Sequence, residues 1–201
     1  MNAFGYIPHP LLTGTDPVDA LRLIRSENVG PVTFFHLVKF CGSVVRALEM
    51  APDMAKRGGR RQPIRIASKA EAEKEYAAIR ADGAEIVLYG TPHYPSLMLQ
   101  MNDAPPLLIV KGHAHLLQKD MIGIVGARNA STNGISFARK MARELGEAKY
   151  VVASGLARGI DGATHEGAFP QTIGVIASGI DIAYPPQHAA LQERIAREGL
   201  L

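Results

Sequence analysis

Tryptophan is absent from this sequence, and cysteine occurs once, at Cys41. A lone cysteine excludes an intrachain disulfide and fits a reducing compartment. Aromatic residues make up only 6% of the chain, so a long row of stacking rings for nucleobases has little to draw on. No apolar run approaches the roughly 20 residues of a membrane helix. The opening MNAFGYIPHP lacks the basic-then-apolar order of a secretory signal. These absences lead to the expectation of a soluble, cytoplasmic protein with no membrane partner. No G-x-x-x-x-G-K-[ST] loop occurs, which excludes a P-loop nucleotidase. His113 and His115 have no partner at ligand spacing, so no metal site is expected. Internal repeats and low-complexity tracts are also lacking.

What is present is a chain of 201 residues, 47% of them hydrophobic, enough for one large or two small domains. The net charge of +3 and the isoelectric point near 9.1 permit a polyanionic partner without demanding one.

The most informative stretch runs from Met121 to Asp161. Met121 to Val125 is a short apolar run that suits a strand buried on both faces. A turn, Gly126 to Ser131, breaks it. A helix is predicted next, with Ile135, Ala138, Met141, Ala142 and Leu145 on one face and Gly146 at its C-cap. Tyr150 to Ala153 predicts a second strand, and Ser154 to Gly159 a second turn. Such a βαβ unit is parallel and right-handed, which puts both turns at the carboxyl edge of the sheet, where α/β proteins bind ligands. Glycines let the backbone approach a ligand closely, and helix N-termini favour anions. Each turn carries an arginine, Arg128 and Arg158, and neither turn carries an acid before Asp161. That pattern points to a phosphate-rich ligand. The alternative for Arg158 is an internal pair with Asp161.

Upstream, Asp16 to Arg25 reads as a helix. A second follows Pro31, carrying Phe34, Phe35, Leu37, Val38 and Phe40. Gly42 ends it, and Ser43 caps a third helix through Met50. Two helices around an apolar-Gly turn resemble a helix-hairpin-helix; a plain helical packing module is the other reading. Cys41, after an apolar helix, reads as buried. The basic segment Ala55 to Pro63 reads as a solvated linker, and the domain boundary is placed after residue 66. Ser68 and Glu71 form a capping-box pattern for a helix to about Ala81. Glu85 to Tyr89 and Pro106 to Lys111 read as strands extending the central sheet. Downstream, a helix runs to about Phe169, and Thr172 to Ala177 forms a third core strand. It delivers Ser178 to Asp181, then Tyr184-Pro185-Pro186, to the same edge. A last helix carries Leu191, Ile195 and Leu200, and a further strand begins at Gly199-Leu200-Leu201.

A dinucleotide site would show G-x-G-x-x-G after the first strand and an acid about twenty residues on. The spacing Gly123-Ile124-Val125-Gly126 and the strand ending Ala153-Ser154 do not fit. His165 follows Asp161 by one helical turn. The pair reads as a brace for the second turn, with acid–base machinery as the alternative. Ser131 and Ser154 lack a neighbouring histidine and read as loop caps or phosphate donors.

Three motifs together resemble the DNA-processing protein A (DprA/Smf) family. They are Gly126-Ala127-Arg128-x-x-Ser131-x-x-Gly134; Ser154-Gly155-Leu156-Ala157-Arg158-Gly159-Ile160-Asp161-x-x-x-His165-x-Gly167-Ala168; and Thr172-Ile173-x-Val175 with Gly179-Ile180-Asp181-x-x-Tyr184-Pro185. Tyr94-Pro95-x-Leu97, Asp103 to Pro106 and Lys111-Gly112 fit the family's entry into its Rossmann domain. The resemblance implies a SAM-like, helix-hairpin-helix domain over residues 1–66, with a basic linker, and a Rossmann-like DNA-binding domain over 67–201. It implies no enzymatic activity and no cofactor. The expected partners are single-stranded DNA and RecA, with a homodimer formed through the Rossmann domain, and the expected role is protecting incoming DNA and loading RecA during natural transformation. The phosphate-binding set expected from the two turns is Gly126, Arg128, Ser131, Gly134, Ser154, Gly155, Arg158 and Gly159, with Asp161 and His165 as braces; the resemblance assigns Arg128 of these to the family's DNA pocket. Two departures stand out. Phe169-Pro170-Gln171 is shorter than the family's glycine-rich link, and the family's SE-x-P and FP-x-RNR segments do not occur, so the Rossmann domain reads as truncated at its C-terminus. The runner-up is a phosphoribohydrolase of the lysine-decarboxylase-like group, whose P-G-G-x-G-T-x-x-E run is missing here.

Overall fold

The structure is a computed structural model that describes residues 9–57 and 64–201, with side chains from 55 to 57 excepted. It divides into two compact units: residues 1–82 with 86–108, and residues 83–85 with 109–201.

The first unit is built on helices whose ends are written in the sequence. Asp16 accepts a hydrogen bond from Val18 N at 2.8 Å, and Pro17 opens α1, Pro17–Ile24. Helix α2, Pro31–Cys41, stops at Gly42, whose φ of 85° few other residues adopt. Ser43 Oγ accepts from Arg46 N and caps α3, Val44–Arg57. This helix outruns the expected end at Met50 and continues through Pro52. Ala51 is buried, and Met54 lies 3.9 Å from the buried Cys41 sulfur, so packing overrides the cost of an internal proline. The basic segment after it, read as a linker, lies largely outside the described residues.

Helix α4, Lys69–Ala81, starts with the reciprocal Ser68–Glu71 capping box. It packs on α1. Arg25 grips the Glu75 carboxylate, and Ser26 Oγ takes Ala67 N at 3.1 Å. The compact helical unit thus includes a helix that the division after residue 66 assigns to the sheet domain. Strands β1, Glu85–Leu88, and β2, Leu107–Val110, pair with each other in a two-stranded sheet rather than extending the central one. The rings of Phe35, Tyr89 and Tyr94 pack in series, edge-on and then tilted, with centroids 4.8 and 5.1 Å apart, and both tyrosine hydroxyls donate to carbonyls of the proline-rich loop.

The second unit holds three parallel strands, β3 Met121–Gly123, β4 Val151–Ser154 and β5 Thr172–Gly174, in the order β3-β4-β5. Met121 pairs with Val151, and Val152 with Thr172. Helices α5, Thr132–Glu147, and α6, Ile160–Ala168, pack closely on each other and on β4. Helix α7, Ala189–Glu198, packs against β5. The expected further strand is represented by single bridges from Leu200 to Ile173 and Gly112. A helical unit followed by this parallel α/β arrangement is a Rossmann-like domain behind a small all-helical one.

Three local expectations change. Burial on both faces belongs to β4, where Val151 and Val152 are inaccessible. Strand β3 has one neighbour among the described residues, Gly123 is exposed, and Val125 beyond it is 79% exposed. Met141 is exposed on α5, so the buried stripe narrows to Ala138 and Ala142, with Ile135 and Leu145 half-buried. Gly146 does not cap α5. The helix passes through it, and Lys149, at φ 71°, makes the reversal. What Gly146 provides is closeness, since a Cβ there would sit 3.3 Å from the Ala168 carbonyl oxygen.

Candidate nucleic-acid interface

The two glycine turns interlock. Gly126 sits over Ile160, the first residue of α6, where a Cβ would stand 2.8 Å from the Ile160 Cβ. Gly159, at φ 78°, nests beneath the first turn, where a Cβ would collide with the Ala127 and Arg128 carbonyl oxygens. Asp161 ties the two together: Oδ1 accepts from Gly126 N and Oδ2 from Ala157 N, each at 3.3 Å. The carboxylate is buried and is engaged by backbone. Among the described residues Arg158 forms no ion pair with it or with any other acid, and neither does Arg128.

Leu156, between these anchors, holds a φ of 60°, unusual for a side chain of its size. Its side chain is wholly buried against Ile195 and Leu201, which offsets the backbone strain. The turn is therefore anchored from inside.

On that outer surface lies an open cleft of about 270 Å³. Arg128 comes from the first turn, and Gly155, Ala157 and Arg158 come from the second. Tyr184, Pro185, Pro186 and Gln187 form a third wall. Both arginines are exposed, and no carboxylate lines the cleft. Two guanidinium groups facing one opening, beside the N-terminus of α6, make an environment suited to anions.

The sequence-derived set separates by role. Arg128, Gly155 and Arg158 meet in the cleft. Gly126 and Gly159 shape it without lining it. Ser131 and Gly134 form the cap of α5, Gly134 N donating to Ser131 Oγ at 3.2 Å. Ser154 is buried, and its hydroxyl donates to Ile124 O at 2.6 Å, which removes it from the group of phosphate donors. His165 braces something other than the turn. It is fully buried, with Nδ1 2.8 Å from Thr172 Oγ1, and so joins α6 to β5. Thr172 Oγ1 donates to Val152 O, leaving Nδ1–H as the donor to Thr172 and Nε2 buried without a partner. Burial, and then the nearby His188, lower the His165 pKa to about 4, so the ring is neutral at physiological pH. Fully buried and not among the residues that line the cleft, His165 does not serve as acid–base machinery there. Among the described residues no group of three or more histidine, cysteine or carboxylate side chains is placed to hold a metal. The third wall is read from the sequence in large part: Tyr184-Pro185-Pro186 is expected at this sheet edge after the third core strand, and Gln187 is the residue that reading misses.

Comparison with known families decides the identity of this architecture. The model described as DNA recombination-mediator protein A matches residues 85–201, more than half of the chain. A second, described as the DprA-like N-terminal HHH domain, matches residues 15–78. The chain belongs to the DNA recombination-mediator protein A family. The match at 15–78 includes most of α4, in agreement with that helix packing on α1.

Among curated family members, DNA processing protein DprA of Bacillus subtilis is 35% identical over 129 residues, covering 62% of this chain and 43% of that protein. The X-ray structure of DprA from Streptococcus pneumoniae superposes with a TM-score of 0.60 at 26% identity, covering 94% of this chain and 62% of that one. DprA of Helicobacter pylori, described for its single-stranded DNA binding mode, superposes at 0.51 with 28% identity over 58% of this chain and 53% of that one. The chain spans less than half the length of the curated relatives it matches.

Proposed function

We propose that this chain binds single-stranded DNA at the two-arginine cleft, chiefly through the phosphate backbone. The observation that carries the reading is the convergence of Arg128 and Arg158, unpaired among the described residues, on one opening with no lining acid. Backbone capture of this kind is independent of sequence, as a recombination mediator requires. Tyr184, 66% exposed on the third wall, supplies a ring face for a base. The single-stranded DNA binding described for the Helicobacter pylori relative supports the ligand class. In its finer form the proposal follows the family: a cytoplasmic, non-catalytic protein that acts as a homodimer, protects incoming DNA during natural transformation and hands it to RecA.

The test is a titration of labelled oligothymidylate across a range of salt concentrations. The logarithm of the binding constant should fall against the logarithm of salt with a slope of about −0.7 per neutralised phosphate. Binding that is flat with salt sinks the reading. Release of base from nucleoside monophosphates by the same preparation would favour a hydrolase instead.

A further inference from the structure

The third wall of the cleft is a loop that reaches the site without a strand of its own. Two side chains at and beyond its C-terminal end, His188 and Gln192, hold it, beside the loop's own Ser178 hydroxyl, which donates to the Ile182 carbonyl at 3.2 Å. Gln192 of α7 donates through Nε2 to the Ile180 and Ile182 carbonyl oxygens, at 3.2 and 3.4 Å. Nearer the cleft, His188 Nδ1 lies 2.9 Å from the Leu156 carbonyl oxygen. A carbonyl only accepts, so Nδ1 carries the proton. The Cε1–Nε2 edge of the ring lies against α6, where Gly162 makes room for it. A Cβ at that position would stand 2.8 Å from His188 Cε1. The carbonyl it grips belongs to the one residue of the second turn that is locked by a left-handed φ and a wholly buried side chain. His188 therefore follows the wall residues Tyr184 to Gln187 directly in sequence and ties them to the Leu156 carbonyl on the wall opposite.

Resting on the reading of the cleft as a DNA site, we propose that His188 is a positioning residue, one that sets the distance between the Tyr184 wall and the two arginines without touching the nucleic acid. Its work is geometric. It brings a stackable ring within reach of a base whose phosphates the arginines hold. Loss of that link frees the loop between Tyr184 and the start of α7 and leaves the arginine turns in place, because those are fixed by Asp161, Ile160 and Leu156.

The experiment uses the full chain, labelled oligothymidylate and six variants, with Tyr184→Ala alone as the reference for the double substitution. His188→Ala should weaken binding about tenfold, within the range carried by one stacked base, and leave the salt slope unchanged because the phosphate contacts persist. His188→Asn, whose amide nitrogen replaces Nδ1, should restore binding; His188→Gln, which places its amide where Nε2 stood, should not. Tyr184→Ala combined with His188→Ala should bind no worse than His188→Ala alone, since both remove the same contact. Binding by His188→Ala equal to the parent, or losses at 184 and 188 that simply add, overturns the proposal. Should the alanine variant fail to fold, the Asn–Gln pair decides, and equal behaviour of those two overturns it. Arg128→Ala separates the two levels: if it also binds normally, the phosphate reading itself has failed; if it alone loses binding, only the positioning role has.

Discussion

Around the second glycine turn, Asp161, Ser154, Thr172 and His165 are buried, whereas Arg158 of the same turn and Arg128 of the first turn are exposed. The buried groups are tied into the fold: carboxylate to two backbone N–H groups, serine to Ile124, threonine to Val152, histidine to threonine. Among the described residues the exposed arginines have no acidic partner. Buried polar groups are costly unless satisfied, so the fold has answered each of these, His165 Nε2 excepted. Exposed charges carry no such cost and remain available to a ligand. Neighbouring motif residues thus divide into those that make the turn and those that use it, and sequence proximity does not tell them apart.

The strongest way to break this division is Asp161→Ala. It strips the acceptor from two backbone N–H groups, at roughly 1–3 kcal/mol each, and should lower unfolding free energy by about 4 kcal/mol. Urea denaturation measures it, and DNA binding should fall as a consequence of the loosened turn. A variant with parental stability would mean that the carboxylate does not hold the turns.

A second test sharpens the buried side. His165 titrates near 6.5 when unfolded and at about 4 when folded. Its neutral form is the native one, so its contribution is fully present above pH 6.5 and is lost as pH falls towards 4. At about 1.4 kcal/mol per pH unit, the loss reaches roughly 3 kcal/mol at full extent. Melts of the parent and of His165→Gln between pH 7 and 4 should converge as the parent's advantage is titrated away. Parallel curves would show that His165 is not the responsible group.

The smallest effect is expected on the exposed side. Arg128→Ala and Arg158→Ala should each weaken DNA binding by about 2 kcal/mol while leaving the urea midpoint in place. Arg158 belongs in the same class as Arg128 because Asp161 is engaged by backbone instead. An early-melting, normally binding Arg128→Ala would invert the comparison.

The βαβ frame was legible in the sequence because its signals are local: short apolar runs, glycines after them, Ser131 and Ser68 at helix starts. The pair of arginines was legible because parallel strands bring successive turns to one edge. What escaped depends on contacts between distant residues. Helix α4 belongs with α1 through Arg25–Glu75 and Ser26–Ala67, separations of 50 and 41 residues. Asp161 and His165 have the spacing of a helical pair, yet one turns to the glycine loops and the other to β5. Ser154 and Ser131 look alike in sequence; burial alone makes the first a pin and leaves the second at an exposed helix cap. The third wall was legible at this edge as Tyr184-Pro185-Pro186, but the contact that ties it there, His188 to the Leu156 carbonyl, spans 32 residues, and no local pattern reports it.

The nesting of Gly159 under the Ala127 and Arg128 carbonyls, with Ile160 beneath Gly126, bears on how such a site can evolve. A methyl group added at either glycine must displace backbone or a packed isoleucine, and the displacement would travel through α6 to Arg158. Drift on those two walls is therefore close to forbidden. Tyr184, Pro186 and Gln187 are exposed and carry no comparable interlock. Inherited variation in which strands the cleft prefers has one wall on which to accumulate, and a laboratory selection for altered preference would find its useful substitutions there.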